Sequence, residues 1–319
     1  MTNNQQDLEP IREATKRARS VFITAHDNCL DATGSICALL DHFKKDHKRV
    51  YPFLQQPVLK KLLFLPHARD IITQKPDLSQ FDVCMIVDAG DARQTGMENE
   101  ILTAVKTHQS LVVNIDHHKT NNHFGHLNLI DETASSTCEL LYYILSTSGA
   151  TPSKEASECL LTGIIGDTGN FTNAATTEDS FRIAAHLIWN GAHIFRIIEN
   201  LVSTEASINT LRLWGRIFER LTHNKKYDIA ISYVTLSDIT ECKVSAEAVE
   251  IVANLLNYIK GIKAGILLKE ITPFAYKVSL RSTYPGIDVS RLAKMLGGGG
   301  HQKAGGFTVY EYEPYSNRY

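Results

Sequence analysis

Between about residues 20 and 190, short apolar runs alternate with segments whose apolar residues recur at helical spacing. The runs 20–25, 50–54, 83–87 and 111–115 are bounded by polar residues and predict buried strands. Segments 32–43 and 137–145 predict helices, and Ser136 followed by Glu139 predicts a capping box at the start of the second. Strand–helix alternation of this kind predicts an α/β domain, with a mostly parallel sheet and helices on both faces. From residue 191 to about 221 the pattern turns helical, predicting a linker over 191–222. Beyond it, runs 229–234, 262–268 and 276–280 predict the strands of a smaller α/β domain, and 245–259 and 289–296 its helices. The glycine run Gly297–Gly300 and a strand-like stretch at 307–310 close the pattern.

With 319 residues, 43% of them hydrophobic, the chain can bury two cores. A formal charge of -2 gives no global basic field, which argues against coating a long duplex and for a small nucleic-acid piece held in a pocket. The six cysteines are dispersed, with no C-x-x-C pair, and suit a reduced cytoplasm. The amino-terminal stretch lacks an apolar core of the signal-peptide kind, and no apolar stretch approaches the ~20 residues of a membrane helix. The expectation is a cytoplasmic protein without a membrane partner, a monomer or homodimer.

Candidate chemistry gathers where the strands end. Run 20–25 leads into His26, run 83–87 into Asp88, and run 111–115 into Asp116, His117 and His118. Open parallel sheets bind ligands outside the carboxyl ends of their strands, so three strands deliver imidazole or carboxylate to one edge. Asp167 follows the apolar segment 160–165 within GIIGDTGNF, whose glycines predict sharp turns. Mixed carboxylate and imidazole donors suit a divalent cation such as manganese, in one or two copies. Two ions about 3.5–4 Å apart activate a water and stabilise the leaving oxygen of a phosphate ester. In GGGGHQKAGGF (297–307), backbone N–H groups around Gly299 and Gly300 can face an anion, with His301 as a further donor. Arg281 and Ser282, ending the 276–280 run, are further candidates because guanidinium matches phosphate bidentately.

These motifs together resemble the DHH/DHHA1 phosphoesterase family. VNIDHHKTNNHFG (113–125) is similar to its signature, MIVDAGD (85–91) to its second acidic motif and GIIGDTGNF (163–171) to its fourth. SLRS (279–282) with 287–307 is similar to the closing motif of the DHHA1 domain. Length and the absence of added domains look most like the nano-RNase/pAp-phosphatase (NrnA-like) branch. The resemblance implies a catalytic DHH domain over 1–190, a DHHA1 substrate-binding domain over 223–319 and a cleft between them. It implies hydrolysis of short oligonucleotides, dinucleotides such as pApA, and 3′-phosphoadenosine 5′-phosphate. By position, His26 holds one metal and Asp31 a second, Asp88 bridges them, and His117 and Asp167 complete the shell. His118 then faces the scissile phosphate with Asp116 behind the histidine pair, while Arg281 and His301 grip the substrate.

The first motif departs from the family's H-x-x-x-D-x-D. Aligned from Asp31, Cys29 stands where the first Asp belongs; aligned from His26, Leu30 does. Three readings stay open: Asp27 substitutes, Cys29 ligates as a thiolate, or the first metal position is weak. A competing expectation is therefore a nucleotide-binding protein that has lost turnover. A pyrophosphatase is disfavoured by the GGGGH signature.

Overall fold

The apolar runs of the first half become the strands of one parallel sheet. The structure, a computed structural model, describes residues 5–27, 29–146, 151–203, 207–245 and 248–310. Strands β1 (Ser20–Ala25), β2 (Arg49–Phe53), β3 (Val83–Val87), β4 (Leu111–Asp116) and β5 (Leu127–Ile130) lie in the order β2-β1-β3-β4-β5. Every neighbouring pair is parallel. Strand β5 escapes the sequence pattern because it forms an edge and buries little beyond Leu129.

The central strands are apolar throughout because both faces are covered. Val21, Ile23, Ala25, Met85, Val87, Val113 and Ile115 face a core shared with α2 (Leu30–Lys45), α4 (Thr137–Leu145) and α5 (Lys154–Asp167). Phe22, Cys84, Ile86 and Val112 face the opposite core, with Met97 and with Ile101 of α3 (Glu98–Thr107). Helices α1 (Gln5–Arg17), α6 (Glu178–Trp189) and most of α7 (Ile194–Ser203) complete this unit, Met1–Leu201. The expected capping box at α4 is half formed. The Ser136 hydroxyl accepts the Glu139 N–H at 3.1 Å, but the Glu139 carboxylate turns to the hydroxyl and N–H of Ser135. Position 135 offers it two donors where the box offers one.

The second unit is Val202–Tyr319. Its sheet runs β10 (Gly299–His301), β11 (Ala304–Tyr310), β9 (Ala275–Arg281), β8 (Ala264–Thr272), β7 (Ile229–Val234), β6 (Thr222–Asn224). Only β7 and β8 pair in parallel; the rest are antiparallel. Leu213 and Ile217 of α8 (Ile208–Glu219) pack with Val249, Val252 and Ala253 of α10 (Ala248–Leu255) beneath it. Val289 and Ala293 of α11 (Val289–Met295) join Val278 and Leu280, and α9 (Leu236–Cys242) follows β7. Of the segment expected as a helical bridge, α7 gives Ile197 to the first core and α8 gives Leu213 and Ile217 to the second. The run expected at 262–268 starts later and extends to Thr272, because hairpin pairing with β9 carries Lys269, Glu270 and Thr272 into the strand.

Candidate metal centre

The chain leaves β1 toward β2 on one side and later fills β3 on the other, so the strand order reverses between β1 and β3. Ligands bind in open α/β sheets at such a reversal. His26 and Asp88 stand at those two strand ends, His26 Nε2 3.1 Å from Asp88 Oδ2. His26 Nδ1 lies 3.0 Å from the Asp27 carbonyl oxygen. A carbonyl can only accept, so Nδ1 carries the proton and Nε2 faces the carboxylate. Burial lowers the His26 pKa, but Asp88 and the Asp27 carbonyl outweigh it and leave it raised. Asp88 is buried at φ 53°, a left-handed conformation that costs a non-glycine residue. The turn is held by the side-chain amides of Asn114 and Asn121, which donate to the Ala89 carbonyl at 3.2 and 3.1 Å. The Thr137 hydroxyl donates to Asp88 Oδ1 at 3.2 Å.

Asp31 sits fully buried in the first turn of α2. Its Oδ2 accepts the Thr137 N–H at 2.6 Å and its Oδ1 the Cys138 N–H at 2.9 Å, so the positive start of α4 is its socket. Burial first, then Asp88 and Asp167, pushes its pKa well up. A Cβ on Gly163 of α5 would stand 2.3 Å from Cys138 Sγ and 2.6 Å from Asp31 Oδ1. Gly163 and Gly166 were expected in sharp turns. Both lie within α5, where the missing side chain lets that helix close on Asp31 and Leu30. Asp167 ends α5, and the turn behind it uses Gly169, Asn170 and Phe171, all left-handed, at φ 56°, 58° and 60°.

His117 Nε2 lies 3.0 Å from Asp167 Oδ2, 3.6 Å from Asp88 Oδ1 and 3.9 Å from Asp31 Oδ2. That nitrogen is buried with the Asp167 carboxylate as its nearest partner, while Nδ1 is 3.4 Å from the Ala134 carbonyl oxygen. Burial lowers the His117 pKa, but Asp167, Asp31 and Asp88 push it up to about 9. A ring nitrogen enclosed by three carboxylates calls for a positive charge between them, a proton or a metal ion. Asp116 does a different job. Its Oδ1 accepts the His117 N–H at 2.8 Å and His118 Nδ1 at 2.6 Å, and its Oδ2 accepts the Asn121 amide at 2.7 Å. His118 is the more open imidazole, its side chain 44% exposed, and Asp116 chiefly raises its pKa.

The donor atoms of Asp31, His117 and Asp167 lie within 4.8 Å of one another, as do those of His26, Cys29 and Asp88. Asp27 belongs to neither group, because its Oδ1 accepts the Gln56 N–H at 3.1 Å in the loop after β2. Burial, then Asp88 and Asp31, drives the Cys29 thiol pKa far up when no cation is present.

In the second unit, Arg281 Nε donates to Asn254 Oδ1 at 2.8 Å. The Ser282 hydroxyl is buried, donating to the Lys263 carbonyl at 2.6 Å and accepting the Tyr284 N–H at 3.2 Å, so it fastens the loop from inside. Gly299 and Gly300 pair with Gly306 and Gly305 in the edge strand β10, which leaves its outer backbone groups open. A Cβ on Gly298 would meet the Gly306 carbonyl oxygen at 2.0 Å, so the hairpin itself demands glycine there. The side chain of His301 lies outside the described residues.

Residues 20–164 match the model of the DHH family, N-terminal domain, and residues 226–316 that of the DHHA1 domain. The chain belongs to the DHH/DHHA1 phosphoesterase family. It is 28% identical over 291 residues to the bifunctional oligoribonuclease and PAP phosphatase NrnA of Thermus thermophilus, covering 91% of this chain and 84% of that protein. The protein of the same name from Bacillus subtilis is 26% identical over 288 residues, covering 89% of this chain and 87% of its own. The crystal structure of an exopolyphosphatase-related protein from Bacteroides fragilis shares the fold. Its TM-score is 0.85 at 24% identity, covering 98% of this chain and 92% of that one.

The DHH motif is thus Asp116-His117-His118, the first residue holding the other two. Sequence reasoning missed three supports of the DHH site: Thr137 and Cys138, whose amides seat Asp31, and Asn121, which braces Asp116. The polar stretch Ser135–Thr137 opening a helix was a signal for the first two, since helix starts offer free N–H groups. The donor set fits a divalent cation, because three carboxylates converge on the buried His117 Nε2 and the donor atoms of Asp31, His117 and Asp167 lie within 4.8 Å of one another. Among the described residues no helix is long and apolar enough to cross a membrane.

Proposed function

We propose that this chain hydrolyses phosphate esters of short oligonucleotides, dinucleotides such as pApA and 3′-phosphoadenosine 5′-phosphate, at a divalent-metal site in the DHH domain. The observation that carries the reading is His117 Nε2, buried among the carboxylates of Asp31, Asp88 and Asp167 and 3.0 Å from the last of them. His26, Asp31, Asp88, His117 and Asp167 are the residues to hold the ion, and the hard carboxylates around His117 suit manganese. A divalent cation bound there supplies a Lewis acid for the phosphoryl oxygen and acidifies the attacking water.

The chain's own groups do the rest. Asp116 clamps His118 by Nδ1 and leaves its Nε2 free of that contact. Asp116 holds the His118 pKa above the ordinary imidazole value, which favours the protonated ring, so His118 is the group to donate to a phosphoryl or leaving oxygen. In the DHHA1 domain, Arg281, His301 and the open edge of Gly299 and Gly300 supply cationic and N–H donors for a second phosphate. The named activities of the Thermus and Bacillus relatives, oligoribonuclease and PAP phosphatase, support short nucleotides as the substrate class.

The first-motif change favours one alternative, a nucleotide-binding protein without turnover, because the His26–Cys29–Asp88 group holds a single carboxylate. Incubation of the full chain with manganese and pApA separates the two. Steady release of mononucleotide, abolished by His117→Ala, is the expected result. Tight nucleotide binding with no product under manganese, magnesium, cobalt or zinc would overturn the hydrolytic reading.

A further inference from the structure

We infer that Cys29 is a metal ligand, so that the position between β1 and β3 takes a thiolate–imidazole–carboxylate set suited to zinc or cobalt(II) ahead of manganese. The inference deepens the metal-site reading above and depends on it for the site's purpose, not for its ligands.

Three observations lead here. The donor atoms of His26, Cys29 and Asp88 all lie within 4.8 Å of one another, about the span of two opposed bonds of ~2.0–2.3 Å to one ion. Little adjustment is needed for them to share a cation. His26 Nδ1 sits against the Asp27 carbonyl, which leaves Nε2 facing the group. The carboxylates nearby in sequence are engaged elsewhere. Asp27 accepts the Gln56 N–H, and Asp31 is seated on the amides of Thr137 and Cys138 beside His117.

Cys29 is also set apart from the other cysteines. It alone is partly exposed, whereas Cys37, Cys84, Cys138, Cys159 and Cys242 are buried. It begins α2 as an N-cap whose side chain makes no capping bond, although Ser, Thr, Asp or Asn would cap better. Its carbonyl meanwhile anchors the helix, accepting the Thr33 N–H at 3.2 Å and the Thr33 hydroxyl at 2.8 Å. The backbone is therefore fixed, while the half-buried sulfur stands beside His26 and Asp88. On binding, the S–H bond breaks, the sulfur pair goes to the cation and the proton leaves to solvent; no electron changes hands.

The test is cobalt(II) titration of the chelator-stripped full chain under reducing conditions, read by near-ultraviolet absorption. A thiolate-to-cobalt charge-transfer band is expected in the wild type and is lost in Cys29→Ser. Cys29→Asp is expected to bind cobalt without the band and to gain manganese affinity relative to zinc. Far-ultraviolet circular dichroism checks the fold of both variants, and Cys29→Asp carries the test if the serine variant does not fold. Cobalt binding by the wild type without the band, or a band that survives either substitution, overturns the inference. The hydrolytic reading is scored separately with pApA. Turnover without the band sinks the thiolate and leaves the phosphoesterase standing, whereas a band without turnover does the reverse.

Discussion

The His26–Cys29–Asp88 and Asp31–His117–Asp167 groups differ in how the chain assembles them. The first comes from two neighbouring parallel strands and the loop after β1, so strand order alone brings its parts together. The second comes from α2, the end of β4 and the end of α5, and closes only because Gly163 lets α5 approach Asp31. One is a product of topology; the other depends on how closely two helices cross. The donors differ accordingly. A thiol with one carboxylate favours softer cations, and two carboxylates around an imidazole favour harder ones.

Substitutions can break that comparison at graded cost. The largest effect is expected from Asp88→Asn, because Asp88 belongs to the first group and lies 3.6 Å from His117 of the second. Hydrolysis of pApA should fall by more than the ~10–100-fold that losing a mere outer partner costs, with metal content by elemental analysis falling too. Gly163→Ala should come next and strike the second group, since its Cβ meets Asp31 and Cys138. Overpacking there should cost about 1–3 kcal/mol in denaturant unfolding and lower manganese affinity, with the cobalt–thiolate signal kept.

Asp116→Asn keeps the donor atoms of both groups and alters only the brace behind His117 and His118, and should cost roughly 10–100-fold in kcat. It also carries a pH signature. Asp116 holds the His118 pKa up, so without that charge the pKa falls and the alkaline limb of the rate profile moves to lower pH. An unmoved limb would remove His118 from proton transfer.

The smallest effect on hydrolysis is expected from Asp238→Asn in the second unit. Asp238 is buried between Arg220 and Arg216 and accepts the Thr235 N–H, and these partners hold its pKa far below the carboxylate range. Its folded pKa is depressed, so its stabilisation is present above the ordinary carboxylate pKa and is lost as pH falls through the folded value. The variant should lose about 2 kcal/mol of stability at neutral pH while metal content is unchanged.

Much of the first domain was legible along the chain. The strands near 20–25, 83–87 and 111–115 read directly because burial on both faces makes them apolar throughout, and their ends pointed to His26, Asp88 and the Asp116–His118 triplet. The turn reading of Gly163 and Gly166 failed because glycine looks the same in a turn as in a helix that another helix must touch. The seat of Asp31 on Thr137 and Cys138 was invisible because it joins residues 106 and 107 positions apart through backbone groups, which leave no mark on side-chain pattern.

By itself the sequence determined the family, the sheet's strands and the residue types that could hold a divalent cation, because periodicity and motif spacing are local properties. Which carboxylate faces which imidazole was decided by tertiary structure: Asp27 turned to the Gln56 amide, Asp116 turned to His118, and His117 Nε2 was enclosed by Asp167, Asp88 and Asp31. The physical reason is that hydrogen bonds and helix crossings assign each side chain its direction, and direction, not residue type, separates a ligand from a brace.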